Sequence, residues 1–348
     1  MHNPEQLETN ESEATVARRN TLAYHGGNLD MAAQLFPFVK KPWIDLSTGI
    51  NSSSYPLGEI RAESWSRLPL AEDVARLERA AAIAFNTHAA VVAAPGTQAL
   101  IQLLPRLIRA KTIGILGFTY GEYARVWGEA GVMATRASTL DQLAGFDLAI
   151  VVNPNNPDGR LVEPQDLRTL AETMKRKAGY LLVDEAFMDF TPQKSFAAFP
   201  PENVIILRSF GKSYGLAGVR LGFILANFAL AQKFRTSLGP WAVSGPAIEI
   251  ATRAYADLHW LIEETHRLSA ARLRLEHALV NANFSLLGGT HLFVLATHEA
   301  AHGWFDRFAA QGILTRPFSS HPGWLRFGIP NAHDWPRVYS ALQEQPKS

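Results

Sequence analysis

The residue types and spacings that could do chemistry concentrate in one stretch, Ser209-Phe-Gly-Lys212-Ser-Tyr-Gly-Leu-Ala-Gly218-Val-Arg220-Leu-Gly222. A lone loop lysine is ordinarily a solvated charge. Here Gly211, Gly215 and Gly218 are expected to allow close backbone approach to a bound group. A lysine that works as an amine nucleophile must shed its proton near neutral pH, and burial or nearby positive charge lowers its pKa. Arg220 offers that charge, and its planar fork also suits a phosphate. Pro95-Gly96-Thr97-Gln98 lies between an apolar run and a helical pattern. Such a turn presents free N–H groups and a positive dipole end to an anion, so Gly96, Thr97 and Gln98 form a candidate phosphate cup. Every α/β protein has such turns, and this one gains weight only beside the lysine. Asp184 directly follows the apolar run 180–183, where a carboxylate is costly unless paired. Arg326 lies inside Trp324-Leu-Arg-Phe-Gly328, and an arginine in an apolar strand is normally paired; Arg316 follows Ile313-Leu-Thr315. Tyr24-His25-Gly26-Gly27-Asn28 reads either as a glycine turn or as a donor-rich lip over an anionic substrate.

Elements that would position these residues follow from periodicity. Short apolar runs at 43–46, 91–94, 112–116, 147–152, 180–183 and 204–207 read as strands, most of them buried. Helical spacing recurs from Asp73 through Val74, Leu77, Ala81 and Ala84, and again through Leu100, Leu103, Leu104, Leu107 and Ile108. Tyr120 falls just beyond a strand end, where open α/β sheets place their ligands, although an aromatic there can simply pack. A helix follows it through Gly131. Asn153-Pro-Asn-Asn156-Pro-Asp-Gly159 is a turn that Asn, Pro and Gly make readily. Glu163-Pro164 opens another helix, which Gly179 is expected to close. After Gly222 the chain reads as helical, with a break at 237–240. A long amphipathic helix over 258–282 leads to a second lobe. That lobe is expected to hold strands near 284–287, 292–296 and 324–329, with a helix around 301–311.

Bulk properties narrow the class. With 348 residues, the chain exceeds one compact core, so two domains are expected. The predicted division is a flexible N-terminal arm over 1–20, an N-terminal segment over 21–56 that joins the small domain, a large domain over 57–270 and a C-terminal small domain over 271–348. A formal net charge of +1 without a basic run argues against nucleic acid as a partner. The absence of cysteine excludes disulfides and thiolate metal sites, and no metal is expected. No apolar run reaches the ~20 residues a bilayer requires, and residues 1–20 are too polar for a signal peptide. A cytoplasmic protein with no membrane partner is expected.

The pattern S-x-x-K-x-x-G-x-x-G-x-R, with Asn156 and Asp184 ahead of it, resembles the aspartate aminotransferase type of pyridoxal-phosphate enzyme, over nearly the whole chain from Tyr24. The resemblance implies the fold type I α/β architecture, a large domain with a mostly parallel seven-stranded sheet plus a small α+β domain. It implies a homodimer with pyridoxal 5'-phosphate as cofactor. Lys212 would hold the cofactor as a Schiff base, and Ser209 and Arg220 would bind its phosphate with Gly96, Thr97 and Gln98. Tyr120 would lie on the ring, Asn156 would bond the ring hydroxyl, and Asp184 would face the ring nitrogen. Lys212 and Asp184 would be the catalytic pair. Arg326 would clamp the substrate α-carboxylate. Two subgroups are similar, histidinol-phosphate aminotransferases and the L-threonine O-3-phosphate decarboxylases of cobalamin biosynthesis. His25-Gly-Gly-Asn28, Ile44-Asp-Leu-Ser-Thr-Gly-Ile-Asn51 and Asp184-Glu-Ala-Phe-Met-Asp-Phe190 resemble the decarboxylases. The activity implied is decarboxylation of a small phosphorylated amino acid, L-threonine O-3-phosphate, to (R)-1-amino-2-propanol O-2-phosphate, with histidinol-phosphate transamination as the alternative. His25, Gly26, Asn28, Asn51, Asn156, Arg316 and Arg326 would contact the substrate, His25 and Arg316 at its phosphate. Phe187 and Leu68 depart from the family, which often has tyrosine at both places.

Overall fold

A computed structural model describes residues 26–343. Its strands, in chain order, begin with β1 (Ile44–Asp45), β2 (Ala90–Ala94), β3 (Ile113–Leu116), β4 (Ala134–Ala137) and β5 (Leu148–Val152). They continue with β6 (Tyr180–Asp184), β7 (Val204–Ser209), β8 (Gly222–Ala226), β9 (Ser285–Thr290) and β10 (Phe293–Thr297), then β11 (Ile313–Leu314), β12 (Arg316–Pro317) and β13 (Trp324–Gly328). The described residues divide into two compact units, residues 53–265 and residues 26–52 with 266–343. The division falls inside the helix Leu258–Asn281, which the amphipathic spacing anticipates.

Residues 53–265 are built on a seven-stranded sheet of order β2-β8-β7-β6-β5-β3-β4. The expected mostly parallel architecture is present: β3 to β7 run parallel, and β8 lies antiparallel between β7 and β2. Every residue of β5 is buried, as suits a strand covered on both faces. Its Ala149 and Val151 join one hydrophobic layer, while Leu148, Ile150 and Val152 join the other, which is the two-residue alternation of a pleated strand. The helices Ala71–Ala84 and Pro164–Lys175 belong to the first layer, and Thr97–Leu107 to the second. In Pro164–Lys175 the buried Leu167, Leu170, Ala171 and Met174 form one stripe, and Pro164 occupies the first turn, where its missing N–H costs nothing.

One sequence expectation needs correction, and one is met with a different left-handed residue. β8 replaces the helical reading after Gly222: Gly-Phe-Ile-Leu-Ala is wholly buried, and a short apolar run of this kind carries no period that separates strand from helix. At the end of Pro164–Lys175 the left-handed residue is Ala178, with φ +56°, and Gly179 closes the turn by donating its N–H to the Met174 carbonyl at 2.9 Å.

The other unit contains a four-stranded antiparallel sheet of order β12-β13-β10-β9, with β1 and β11 paired in parallel as a separate two-stranded piece. Trp304 and Phe308 of the helix Ala301–Ala310 pack ring against ring with Phe284 and Phe327.

Candidate active site

Strand direction gathers the predicted cofactor residues of residues 53–265 at one edge of the large sheet. β2, β3, β5, β6 and β7 all end there, and the antiparallel β8 begins there. Register makes the gathering concrete. Ala94 pairs with Gly222, Gly222 with Ser209, Leu207 with Asp184 and Asp184 with Val152. Gly96, Thr97 and Gln98 therefore follow β2, Tyr120 follows β3, Asn156 follows β5, Asp184 ends β6, Ser209 and Lys212 end and follow β7, and Arg220 precedes β8.

The candidate anion-binding end is built by close backbone approach. Gly96 has φ +84° and stands before the helix Thr97–Leu107, whose N-terminus has no side-chain cap. A Cβ on Gly96 would lie 2.7 Å from Arg220 Nη2, and a Cβ on Gly222 would lie 2.6 Å from the Thr97 nitrogen. The guanidinium thus stands beside the positive end of an eleven-residue helix, so two positive features converge where an anion fits. Arg220 itself has left-handed backbone, φ +55°, and Nη1 donates to the Ala217 carbonyl. Among the glycines expected to permit approach, Gly211 does so, with Ala217 Cα at 2.7 Å from a built Cβ, whereas Gly218 meets nothing within 4 Å.

The Gln98 side chain turns to its neighbours: Nε2 donates to Glu122 Oε2 at 2.6 Å, and Oε1 accepts from Tyr120 Oη at 3.2 Å. It thereby holds the Tyr120 ring and leaves the cup to backbone N–H groups. Arg125 answers the buried Glu122 charge through Nε and Nη2. Asn153 exchanges two hydrogen bonds with Val162, and Asn155 donates to Phe118 and Asp158, which together hold the turn that carries the half-buried Asn156.

Asp184 is buried, and both of its oxygens accept: Oδ2 from Tyr123 Oη at 2.7 Å, Oδ1 from the Ala186 N–H at 3.0 Å. Burial pushes its carboxyl up, while the Tyr123 hydroxyl, the Ala186 N–H and the Lys212 charge draw it down. The half-buried Lys212 carries Nζ over the Phe187 ring, 4.6 Å from its centroid. That is a cation–π contact. Behind Asp184, the buried Arg208 bonds Glu185 at 2.9 Å and Asp189, and lies 4.3 Å over the Phe85 ring. Glu185 also accepts from Ser195 Oγ and the Phe196 N–H, so the segment after β6 is fixed by charge-assisted bonds. Tyr123, Glu122 and Arg208 escaped the sequence reading. Only Tyr123 left a signal, an aromatic three positions after Tyr120.

In the other unit, Arg316 and Arg326 are directly opposed across β12 and β13. Arg326 is buried and Nη2 donates to the Ser47 carbonyl at 2.7 Å. Burial first, and then the Arg316 charge, hold its guanidinium down at about 9, against Asp45, which draws it up. Asp45 Oδ1 in turn accepts from the Ser47 N–H and Oγ, and Ser47 Oγ accepts from the Gly27 N–H at 2.8 Å. Gly26 abuts the Ser47 carbonyl, 2.3 Å from a built Cβ. The Asn28 side-chain oxygen caps the helix Leu29–Leu35, and Asn51 accepts from Arg267 at 2.9 Å. His25 lies outside the described residues, as do the arm 1–20 and the last five residues.

Residues 66–342 match the family model described as aminotransferase class I and II. The chain is 43% identical over 328 residues to a threonine-phosphate decarboxylase from Sinorhizobium, covering 91% of this chain and 97% of that one. It is 41% identical over 323 residues to a threonine-phosphate decarboxylase from Pseudomonas aeruginosa, covering 91% and 96%. Among solved structures it resembles, with a TM-score of 0.79 at 21% identity, the histidinol-phosphate aminotransferase from Sinorhizobium meliloti in complex with pyridoxal-5'-phosphate, covering 90% of this chain and 92% of that one. At that identity the likeness speaks for the fold alone.

Proposed function

Because the chain belongs to the class I and II aminotransferase family of pyridoxal-phosphate enzymes, we propose that it decarboxylates L-threonine O-3-phosphate to (R)-1-amino-2-propanol O-2-phosphate and CO2, the aminopropanol linker of cobalamin. The observation that carries this choice is the likeness to threonine-phosphate decarboxylases along 91% of the chain.

The residues at the sheet edge fit pyridoxal phosphate. The cradle left by Gly96 and Gly222 beside Arg220 suits a phosphate, the buried Asp184 carboxylate suits a cationic ring nitrogen, and Lys212 supplies the amine. When bound, the cofactor supplies an electron sink for a bond broken at the substrate Cα. In this reading Gly96, Thr97, Gln98, Ser209 and Arg220 hold the cofactor phosphate. Tyr120 covers the ring face and Asn156 bonds the ring hydroxyl. Asp184 keeps a negative charge at the ring nitrogen, which favours its protonated form. Lys212 Nζ carries the amine and returns a proton to Cα after CO2 departs.

Arg326 binds the α-carboxylate through its fork, and Arg316 and His25 bind the substrate phosphate. Gly26, Asn28 and Asn51 shape the remainder of the substrate pocket. Two opposed guanidiniums suit a substrate that carries both a carboxylate and a phosphate. The carboxylate anchor decides which Cα bond is presented for cleavage, and so separates decarboxylation from transamination. The same reading has the enzyme working in the cytoplasm as a homodimer, without metal, nucleic acid or membrane. The exposed apolar side chains of Trp65, Leu68 and Leu70 support the homodimer.

The test is incubation of purified, cofactor-loaded protein with L-threonine O-3-phosphate alone. Release of CO2 with the phosphorylated amino alcohol, in the absence of any keto acid, is the expected result. No release, with turnover of histidinol phosphate and 2-oxoglutarate instead, overturns the substrate and keeps the cofactor site.

A further inference from the structure

Resting on the cofactor reading above, we infer that Tyr123 is a positioning residue for Asp184, whose hydroxyl fixes the carboxylate that faces the cofactor ring nitrogen. Tyr123 lies in the first turn of the helix Glu122–Glu129 and is fully buried. Its Oη donates to Asp184 Oδ2 at 2.7 Å, and the Ala186 N–H donates to Oδ1 at 3.0 Å. Two donors on two oxygens set the plane of the carboxylate and the direction of its remaining lone pairs. The Ala186 donor is local, part of the turn that follows β6. The Tyr123 donor comes from another element, sixty-one residues away in sequence, and ties Asp184 to the helix that follows the β3 edge.

The second consequence concerns charge. A carboxylate removed from water tends to take up a proton, and a neutral Asp184 could not favour a protonated ring nitrogen. The groups facing Asp184 are the Tyr123 hydroxyl, the Ala186 N–H and the Lys212 charge, and all three favour its ionised form. The Tyr123 hydroxyl is itself pushed well above its ordinary value, first by burial and then by the Asp184 charge, with a further push from Tyr120. It therefore remains a donor across the working pH range. Tyr123 also meets the Tyr120 ring edge-on, centroids 6.3 Å apart, and Gln98 holds the Tyr120 hydroxyl. The loop residue that covers the ring face and the first-turn residue that orients the carboxylate are thus only three positions apart, one just before the helix and one at its start.

The experiment compares cofactor-loaded wild type, Tyr123→Phe, Asp184→Asn and the double variant. Three quantities are read: melting of the apoprotein, the dissociation constant of pyridoxal phosphate, and the pH midpoint of the visible cofactor band. The phenyl ring preserves the packing, so the Tyr123→Phe apoprotein is expected to melt within a few degrees of wild type. Its cofactor affinity should fall about tenfold or more, the loss of one hydrogen bond to a charged group, and the midpoint should move. In the Asp184→Asn background the same change should add little, because the charge it serves is gone. An affinity within twofold of wild type with an unmoved midpoint overturns the inference. So does an equal effect in both backgrounds, which marks a packing role. Should Tyr123→Phe not fold, Tyr123→His is read by the same quantities and the same criteria. A wild type with no visible band removes the cofactor reading and this inference together. A wild type with the band but no decarboxylation removes only the substrate, and the comparison stands.

Discussion

Replacing Gly222 with alanine separates close approach from backbone freedom. Gly222 does not have positive φ, so alanine is acceptable to its backbone. The obstacle is space: the new Cβ would lie 2.6 Å from the Thr97 nitrogen and 2.9 Å from the Gly96 carbonyl carbon, where ordinary contact begins at 3.4 Å. Both are backbone atoms in the turn proposed as the phosphate cup, so no flexible side chain can yield. The turn must retreat by ~0.8 Å, at an overpacking cost of ~1–3 kcal/mol in stability. A donor displaced by that amount from ~2.9 Å leaves hydrogen-bond range. One lost bond to a charged acceptor is worth ~1.5–3 kcal/mol, or ~10–100-fold in cofactor affinity. The assay is titration of apoprotein with pyridoxal phosphate by its visible absorbance, alongside urea unfolding of the apo form. Gly218→Ala is the matched control, since its Cβ meets nothing within 4 Å. If Gly222→Ala binds the cofactor within twofold of the Gly218→Ala protein, the proposed cup is wrong.

Lys212→Ala should abolish the visible cofactor band while leaving non-covalent binding measurable by equilibrium dialysis; a retained band would show that another amine carries the cofactor. Arg326→Lys exchanges a planar fork for a point charge, so KM for L-threonine O-3-phosphate should rise ~10-fold or more; steady-state kinetics with an unchanged KM would remove Arg326 from the carboxylate. Asp147 is held below its ordinary 3.8 by the Lys111 N–H above all, with Thr112 adding to it and slight burial opposing. Its folded pKa is depressed, so its contribution is present above pH 3.8 and is lost as pH falls through the lower folded value. Asp147→Asn should therefore melt slightly below wild type at neutral pH, and the gap should close toward pH 3; a gap independent of pH would refute the linkage.

What the sequence revealed and what it hid follow from the range of each signal. Lys212, Arg220, Asp184 and Asn156 could be singled out because each sits in a local motif whose residues are neighbours along the chain, and the structure places the ends of their strands at one sheet edge. β8 was not, because Phe223-Ile-Leu225 is apolar at every position and has no period to read. The Tyr123 contact with Asp184 spans sixty-one residues, and the opposition of Arg316 and Arg326 depends on strand register. Neither distance nor register is written in a single sequence. Gln98 lies in the turn after β2 as expected, but its side chain serves Tyr120 and Glu122, a partition between backbone and side chain that spacing does not encode. Gly218 stands in the same glycine pattern as Gly211, yet only Gly211 has a neighbour that a Cβ would strike.

The antiparallel insertion of β8 also sets an order of events during synthesis. In the large sheet β2 lies at the end of the strand order and pairs only with β8. Residues 90–94 therefore leave the ribosome long before residues 222–226 exist to receive them, a delay on the order of ten seconds at ordinary elongation rates. Until then the proposed phosphate-binding turn after β2 has neither its sheet partner nor Arg220. The parallel strands from β3 to β7 can associate as they emerge, whereas the proposed cofactor cup must close last, through a contact of long sequence separation. A nascent chain stopped before Gly222 would expose an unpaired apolar strand and bind no cofactor, so pyridoxal phosphate can act only on a chain that has already completed this sheet.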